Sequence, residues 1–564
     1  MQMPRTAAEP RLAASWARWS RLVATAARRH WLLTLLLVAG LILRVITQIT
    51  YRPALFYIDT IKYLYGAYPG NDPPGYELFL KIFLPVANLD LVAVLQHLLG
   101  LGMAVALYLL LLRRGAPKWL AALAAAPVLL DGYQLQMEQT IMPDVAFEAL
   151  MVAGMVVLLW RPRPGLWQLA VAGVLLGATA TMWQPGEILV VPAVVYAFIV
   201  TAGWRRSLGY AALLAAAFAV PILLASFRNQ LAIKHFALAP YAASTIYGRM
   251  AYAADCNTLS VPSYEKPLCP PRSFAVKEGP DNLDHAANSP LKHLVVPSGM
   301  TRHGVASNFS TRVLEQQPLR VVGSIFSDAI KLFAVHRVTS PGDAPITRWQ
   351  FQTAYPQYPP YVSIVQGKIQ FAELNYLGQP HVLGDGLNFG GGRPKVITPL
   401  AKFLRAYQLD GGYTPGPALL FMLLAGLAGS AFLLLRRKRM TSSDWDAARA
   451  CCFFLVTGVM VLLISDAFEF SWRYQLPAIL TLPPAAALGI TVIINYIKGR
   501  GQPRPGDGLP ASAATVPAVA ATGGPVTNVA GPAASSPDAD EEEPAAREGI
   551  KDREPQGKNH ASAG

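Results

Sequence analysis

The sequence predicts an all-α polytopic membrane protein of about ten transmembrane helices, with a large mixed extracytoplasmic insert and a disordered C-terminal tail. Three observations lead there. The 564-residue chain is 53% hydrophobic and only 15% charged, whereas soluble domains carry about 25% charged residues. Apolar runs of roughly the 17–25 residues needed to cross a bilayer recur along it. The arginines fall in short clusters between those runs, at Arg113–Arg114, Arg161 and Arg163, Arg205–Arg206, and Arg436 to Arg439. That is the footprint of cytoplasmic loops. It also disposes of nucleic acid as the meaning of the +14 net charge, because no aromatic–basic platform accompanies the cations.

Residues 1–30 form a basic cytoplasmic N-terminus with six arginines. The apolar run beginning at residue 31 outlasts a signal-peptide core and ends in no small-residue cleavage site, so it is read as an anchor. Spans are predicted at 31–50, 91–112, 117–134, 144–160, 166–182, 187–203, 208–227, 415–435, 449–467 and 474–497. With the N-terminus inside, every basic cluster falls on the cytoplasmic side of a plasma membrane, and both termini are cytoplasmic. The chain then divides into an N-terminal transmembrane module, 31–227, with a first extracytoplasmic loop at 51–90; an extracytoplasmic insert, 228–414; a C-terminal transmembrane module, 415–497; and a tail, 498–564. The turn from Glu138 to Pro143 also faces outside.

Within the insert, "VVGSIFSDAIKLFAVHR", 321–337, has apolar residues at helical spacing and suits a helix lying on the membrane or on other helices. "LNFGGGRPK", 387–395, reads as a turn or loop. Cys256 and Cys269 lie in this outside segment, where a disulfide persists, and are expected to pair. Cys451 and Cys452 sit in an apolar run as core residues. Histidines 285, 293, 303, 336 and 381 are irregularly spaced, a pattern of scattered loop residues rather than a metal centre. Beyond Arg500 the chain is Ala, Pro, Gly and Ser with an acidic patch, a composition that cannot bury a core.

The stretch "FYIDTIKYLYGAYPGNDPPGYELF", 56–79, sets Asp59, Lys62 and Asp72 just after the first span. One reading is a local Asp59–Lys62 pair along an interfacial helix. The other is catalytic, and it draws on further motifs: Asp72-Pro73-Pro74-Gly75-Tyr76 opening an amphipathic helix, "YQLQMEQTIMPDVAFEALM" at 133–151, "WQPGEILVVP" at 183–192, and "WRYQLPAILTLPPAAALG" at 472–489. In their order and predicted side these resemble the GT-C fold glycosyltransferases. Protein O-mannosyltransferases and lipid A aminoarabinose transferases, which use polyprenyl-phosphate sugar donors, are the nearest groups. The resemblance covers residues 30–230 and 415–497.

The resemblance implies inverting transfer of a sugar from a polyprenyl-phosphate donor to an extracytoplasmic acceptor, with Asp59 as base and Glu138 as a second catalytic carboxylate. A departing phosphate needs cations that keep their charge. Candidates are Arg473, Lys62, Arg249, Arg302 and Arg337, with Arg473 foremost because it leads into a span from outside. Asp72, Tyr76 and Asp144 are further cleft candidates. The alternative for Arg473 is an interfacial anchor beside Trp472 and Tyr474; for Glu138 and Asp144 it is a solvated helix cap. Two departures stand out: Thr60 follows Asp59 where some members carry a second acid, and Gln184 stands where Arg is more usual. The cofactor is therefore unassigned, with a divalent cation the one candidate. Expected partners are the polyprenyl-phosphate-linked sugar, membrane lipids, and an acceptor whose class (glycan, protein or lipid) the sequence leaves open. A transporter or lipid-linked sugar flippase would want charge at mid-span and internal symmetry, which the spans were not seen to offer. A catalytically inactive GT-C-like scaffold would bind donor without transferring its sugar.

Overall fold

The computed structural model describes residues 21–499 except 23, 58, 66–68, 84, 87, 355–361, 366–367, 375–379, 386–394 and 436–439. The tail, most of the basic N-terminus, the Arg436–Arg439 cluster and nearly all of the 387–395 loop lie outside the described residues.

Each predicted span falls on helix. The N-terminal set is α1 (Trp31–Thr50), short α2 (Thr60–Tyr65) and α3 (Gly75–Lys81), α4 (Leu89–Arg113), α5 (Lys118–Leu130), α6 (Gly132–Gln139), α7 (Asp144–Leu159), α8 (Leu166–Met182), α9 (Val190–Ile199) and α10 (Trp204–Ile233). The insert contributes α11 (Ala243–Ala253), α12 (Arg272–His285), α13 (Arg302–Gln316), α14 (Pro318–Ile330) and α15 (Thr398–Leu409). The C-terminal set is α16 (Gly416–Leu435), α17 (Ser442–Asp466) and α18 (Leu476–Gly499). Six segments, built on α1, α4, α10, α16, α17 and α18, are long and apolar enough to cross a membrane. The protein is a multi-pass, mostly helical membrane protein. At 1.5 Å per residue, the 13 residues of α5 reach only about 20 Å against a hydrocarbon core of about 30 Å.

The helices pack into one apolar core, α8 against α7 and α10, and α18 against α16, α17 and α5. Arg113 and Arg114, at the end of α4, donate to the carbonyls of Trp160 and Leu159 that close α7. Cations there suit the negative end of a helix. The end of α7 that begins at Asp144 is the opposite one, where the insert sits.

Two features fix the first loop at that end. A strand β1 (Tyr51–Arg52) pairs antiparallel with a strand at Lys395–Val396, and Leu55 exchanges backbone hydrogen bonds with Gln139 and Ile141. Gly75 of the "DPPGY" stretch starts α3 against the end of α8; a Cβ there would lie 2.5 Å from the Thr181 carbonyl oxygen. Only glycine allows that approach.

The insert has its own apolar core, built from Tyr247, Leu268, Leu283, Phe309, Val313 and neighbours across α11 to α14. Cys256 and Cys269 are joined in a disulfide. A three-stranded antiparallel sheet, 362–365, 368–374 and 380–385, completes its mixed character. The expected 321–337 helix is α14 followed by a short 3₁₀ turn. It leaves Leu319, Val322, Phe326 and Ile330 exposed at three- and four-residue spacing, the apolar stripe of a helix that rests on an apolar neighbour.

Candidate active site

Asp59 stands immediately before α2, in a turn that Thr60 pins. The Thr60 hydroxyl accepts from the Tyr57 amide and donates to the Ile141 carbonyl. Thr60, where a second acid was considered, is thus a buried structural hydroxyl. This turn delivers Asp59 to a charged cluster drawn from distant parts of the chain. Lys62 Nζ lies 3.1 Å from Asp59 Oδ1 and 3.3 Å from Asp72 Oδ2. Arg473, from a 3₁₀ turn at Trp472–Gln475, lies with Nη1 3.8 Å from Asp59 Oδ2 and Nε 3.7 Å from Asp144 Oδ1.

Those last two separations are ion pairs but too long for hydrogen bonds. The Arg473 Nε and Nη1 groups are buried and hydrogen-bond nothing among the described residues. Its remaining Nη2 donates to the Tyr474 hydroxyl, which donates in turn to Glu469 Oε1. The guanidinium is caged by the rings of Tyr474, Trp349 and Tyr57, at 4.7, 5.1 and 5.7 Å. Cation–π contacts of this kind hold a guanidinium in place without using its N–H donors.

Electrostatics separate the carboxylates. Burial pushes the Asp59 carboxyl up, but Lys62 and Arg473 outweigh it and hold it below the usual carboxylate range. Glu469 moves the other way: burial and the nearby Asp281 push it up to about 7, against the opposing pull of Tyr474 and Arg473. His285, hydrogen-bonded to Asp281, is raised to about 9 and remains cationic at neutral pH. Asp59 side-chain exposure is 22% and that of Arg473 is 9%, so the cluster is partly buried rather than a solvated surface pair.

Of the predicted site residues, the structure therefore brings together Asp59, Lys62, Asp72, Asp144 and Arg473. Others are elsewhere. Tyr76 is buried, its hydroxyl donating to Gln96 in α4. Arg249 is buried against Asp328 at 2.6 Å. Arg337 stacks on Tyr133, Tyr413 and Trp472, and Arg302 is exposed at the start of α13.

Glu138 is neither a solvated cap nor in contact with this cluster. Fully buried, it pairs with Arg44 Nη2 at 2.7 Å and with His97 Nδ1 at 2.8 Å. Arg44, inside α1, also donates to the carbonyls of Gly40, Val128 and Leu129. The first span thus does contain a buried charge, and its partner comes from α6. Gln139 donates to the Tyr51 carbonyl and accepts from His97 Nε2, while Gln96 donates to the carbonyls of Glu138 and Thr140. The network ties α1 and α4 to the backbone carrying the Asp59 turn.

Residues that drew little or no weight in the sequence include Tyr57, Trp349, Tyr474, Glu469 and His285. Aromatics near a membrane boundary read as anchors, and nothing local in the sequence signals that three of them surround one arginine. Among the described residues no group of three or more His, Cys, Asp or Glu is arranged to hold a metal ion; Asp59, Asp72 and Asp144 face Lys62 and Arg473 instead.

Comparison with known proteins bears out the resemblance over part of the chain. Residues 59–237 match the model of the dolichyl-phosphate-mannose-protein mannosyltransferase family, beginning at Asp59 itself. Similar solved structures include the archaeal oligosaccharyltransferase AglB from Archaeoglobus fulgidus in complex with an inhibitory peptide and a dolichol-phosphate (14% identity, 83% of this chain and 51% of that chain, TM-score 0.37). Its apo form gives 14% identity, 83% and 50% coverage, and a TM-score of 0.39. ArnT from Cupriavidus metallidurans in the apo state gives 12% identity, 83% and 78% coverage, and a TM-score of 0.29. The chain spans about half the length of the archaeal enzymes it matches. No curated protein matches it.

Proposed function

We propose that the protein is a membrane glycosyltransferase of GT-C type. It moves a sugar from a polyprenyl-phosphate donor to an extracytoplasmic acceptor at the outer face of a plasma membrane, with inversion. In this reading the insert, 228–414, sits outside between two transmembrane modules, 31–227 and 415–497, both termini are cytoplasmic, and the apolar stripe of α14 rests on lipid.

The observation that carries the proposal is Arg473. Its Nε and Nη1 donors have no hydrogen-bond partner among the described residues, and they lie beside the Asp59 carboxylate. Two free N–H groups on one guanidinium match two oxygens of a phosphate. The Lys62 ammonium adds a second cation on the other side of Asp59. With the phosphate held there, the anomeric carbon lies within reach of Asp59. The acceptor hydroxyl oxygen forms a bond to that carbon, the bond to the phosphate oxygen breaks with its electron pair leaving on phosphate, and the hydroxyl proton passes to Asp59. Glu138 has no part in these steps; the buried pair with Arg44 makes it a structural carboxylate. That pairing also leaves no free mid-span charge of the kind a transporter would use.

A positioned base is worth about two to four powers of ten in rate. Asp59→Asn should therefore lower transfer from sugar-labelled polyprenyl-phosphate donors by roughly that factor, while the purified variant still inserts and binds donor. Wild-type transfer in Asp59→Asn would remove Asp59 from the mechanism. Donor binding without transfer by the unaltered chain, to any membrane-fraction acceptor, would favour the scaffold reading.

A further inference from the structure

Behind the aromatic cage of Arg473 lies a cleft of about 440 Å³, counting its open mouth, whose lining includes Tyr57, Gln136, Thr140, Arg348, Trp349 and Gln350. Tyr57 and Trp349 form its partition from the charged cluster. Their ring centroids are 4.7 Å apart, and both rings contact the Arg473 guanidinium. The cleft is near the lower end of the size range of small-molecule sites, large enough for a single ring and its substituents.

Its polar lining is incompletely partnered. Gln136 and Trp349 are both more than nine-tenths buried. The Gln136 amide donates to the Arg348 carbonyl, but Gln136 Oε1, an acceptor, and Trp349 Nε1, a donor, have no hydrogen-bond partner among the described residues. Leaving such groups unsatisfied costs about 1–3 kcal/mol each, and native proteins seldom leave them so. A complementary ligand must supply a donor and an acceptor within a few ångströms of each other and an apolar face for the indole and phenol rings. A hydroxyl donates and accepts. A pyranose carries several hydroxyls around a ring whose C–H face covers an aromatic surface. A purely apolar occupant would leave both atoms unpaired, and an anion would leave the Gln136 oxygen repelled.

We propose that this cleft is a pyranose subsite, with Trp349 Nε1 and Gln136 Oε1 reading adjacent hydroxyls and the rings of Trp349 and Tyr57 carrying the sugar face. The inference rests on the proposed transferase function. The ring is either the sugar being transferred or a sugar of a glycan acceptor, since the same two rings contact the arginine proposed to hold the donor phosphate.

The test uses the full chain in detergent micelles, with methyl manno-, gluco- and galactopyranosides as probes and saturation-transfer NMR as readout. At least one glycoside should bind saturably. Trp349→Phe, which keeps a ring but removes the N–H, and Gln136→Leu, which keeps the bulk, should each weaken it about tenfold, the size of one buried hydrogen bond. Adding a polyprenyl-phosphate sugar separates the two sources: displacement of the glycoside identifies the donor sugar, and simultaneous binding identifies the acceptor. Either result supports the subsite. Absence of binding by all three glycosides, or binding unchanged in both variants, overturns it, leaving water as the occupant. These readouts are independent of transfer. Loss of transfer in Asp59→Asn with no glycoside binding would overturn the subsite alone, and intact transfer in Asp59→Asn with binding lost in Trp349→Phe would overturn the catalytic role alone.

Discussion

Removing the Glu138 carboxylate distinguishes a structural from a catalytic role at that position. In the structure it is the only carboxylate paired with Arg44 among the described residues, at 2.7 Å, with side-chain exposures of 2% for Arg44 and 0% for Glu138. Breaking a buried ion pair from one side costs about 3–5 kcal/mol, because the surviving charge is stranded. Three carbonyls still accept from Arg44, which places Glu138→Ala toward the lower end, near 3 kcal/mol. The double variant Arg44→Met/Glu138→Met removes both charges and should recover most of that loss, since a buried pair replaced by apolar side chains is often neutral. Glu138→Gln keeps an oxygen for Arg44 and offers an amide N–H to His97 Nδ1. It should preserve transfer to within about tenfold, against the two to four powers of ten expected of a catalytic acid or base. Denaturant titration in mixed micelles measures the first two quantities, and labelled-donor transfer measures the third. A Glu138→Gln protein with wild-type stability and no transfer would refute the structural assignment. So would a double variant no more stable than Glu138→Ala.

Three other expectations follow from the same geometry. Arg473→Lys keeps the charge but loses the fork of donors, so donor KM should rise at least tenfold, about the worth of one charge-assisted hydrogen bond; an unchanged KM would show that the guanidinium does not hold the phosphate. Glu469, pushed up to about 7, is neutral below that pH and ionised above it. Ionisation adds negative charge beside Arg473 and opposes an anionic donor, so donor KM should climb as pH rises through 7, and Glu469→Gln should flatten the profile. Reducing the Cys256–Cys269 disulfide, which spans 13 residues, should destabilise the insert by about 3 kcal/mol, read as increased proteolysis of residues 228–414 while the membrane helices remain protected.

The helices were legible because each apolar run is long compared with its neighbours' turns, so hydropathy alone located α1, α4, α10, α16, α17 and α18. The insert was harder. Its core residues, such as Tyr247, Leu283, Phe309 and Val313, are spread over short helices with polar faces, and no single window carries a strong period. Asp59, Lys62 and Arg473 were visible as charges at the edges of apolar runs, where every ionisable residue needs a reason. The role of Glu138 was not visible, because that reason is Arg44, 94 residues earlier and inside a span read as nearly free of charge. The second acid sought beside Asp59 turned out to be a position where a hydroxyl binds the Ile141 carbonyl. Sequence identifies which side chains must be accounted for, but not which of them account for one another.

One apparent contradiction remains in the charged cluster, and its resolution bears on mechanism. Asp59 is engaged with Lys62, as a purely local pair would be, and its depressed pKa makes it a weak base. A local pair, however, does not require Arg473 from 414 positions further along the chain, nor leave that arginine's Nε and Nη1 without hydrogen bonds. The cations that weaken Asp59 are also the ones a donor phosphate would engage. When the phosphate accepts hydrogen bonds from Arg473 and draws Lys62, the charge stabilising ionised Asp59 is shared with a new anion, and each pKa unit regained corresponds to about 1.4 kcal/mol of added proton affinity. Basicity would then rise only with donor in place. In the resting state the same ion pairs keep the carboxylate from leaving a bare charge in a partly buried site. A base held down by the groups that bind the substrate is consistent with both the local pairing and the distant arginine, whereas the purely structural reading accounts only for the first.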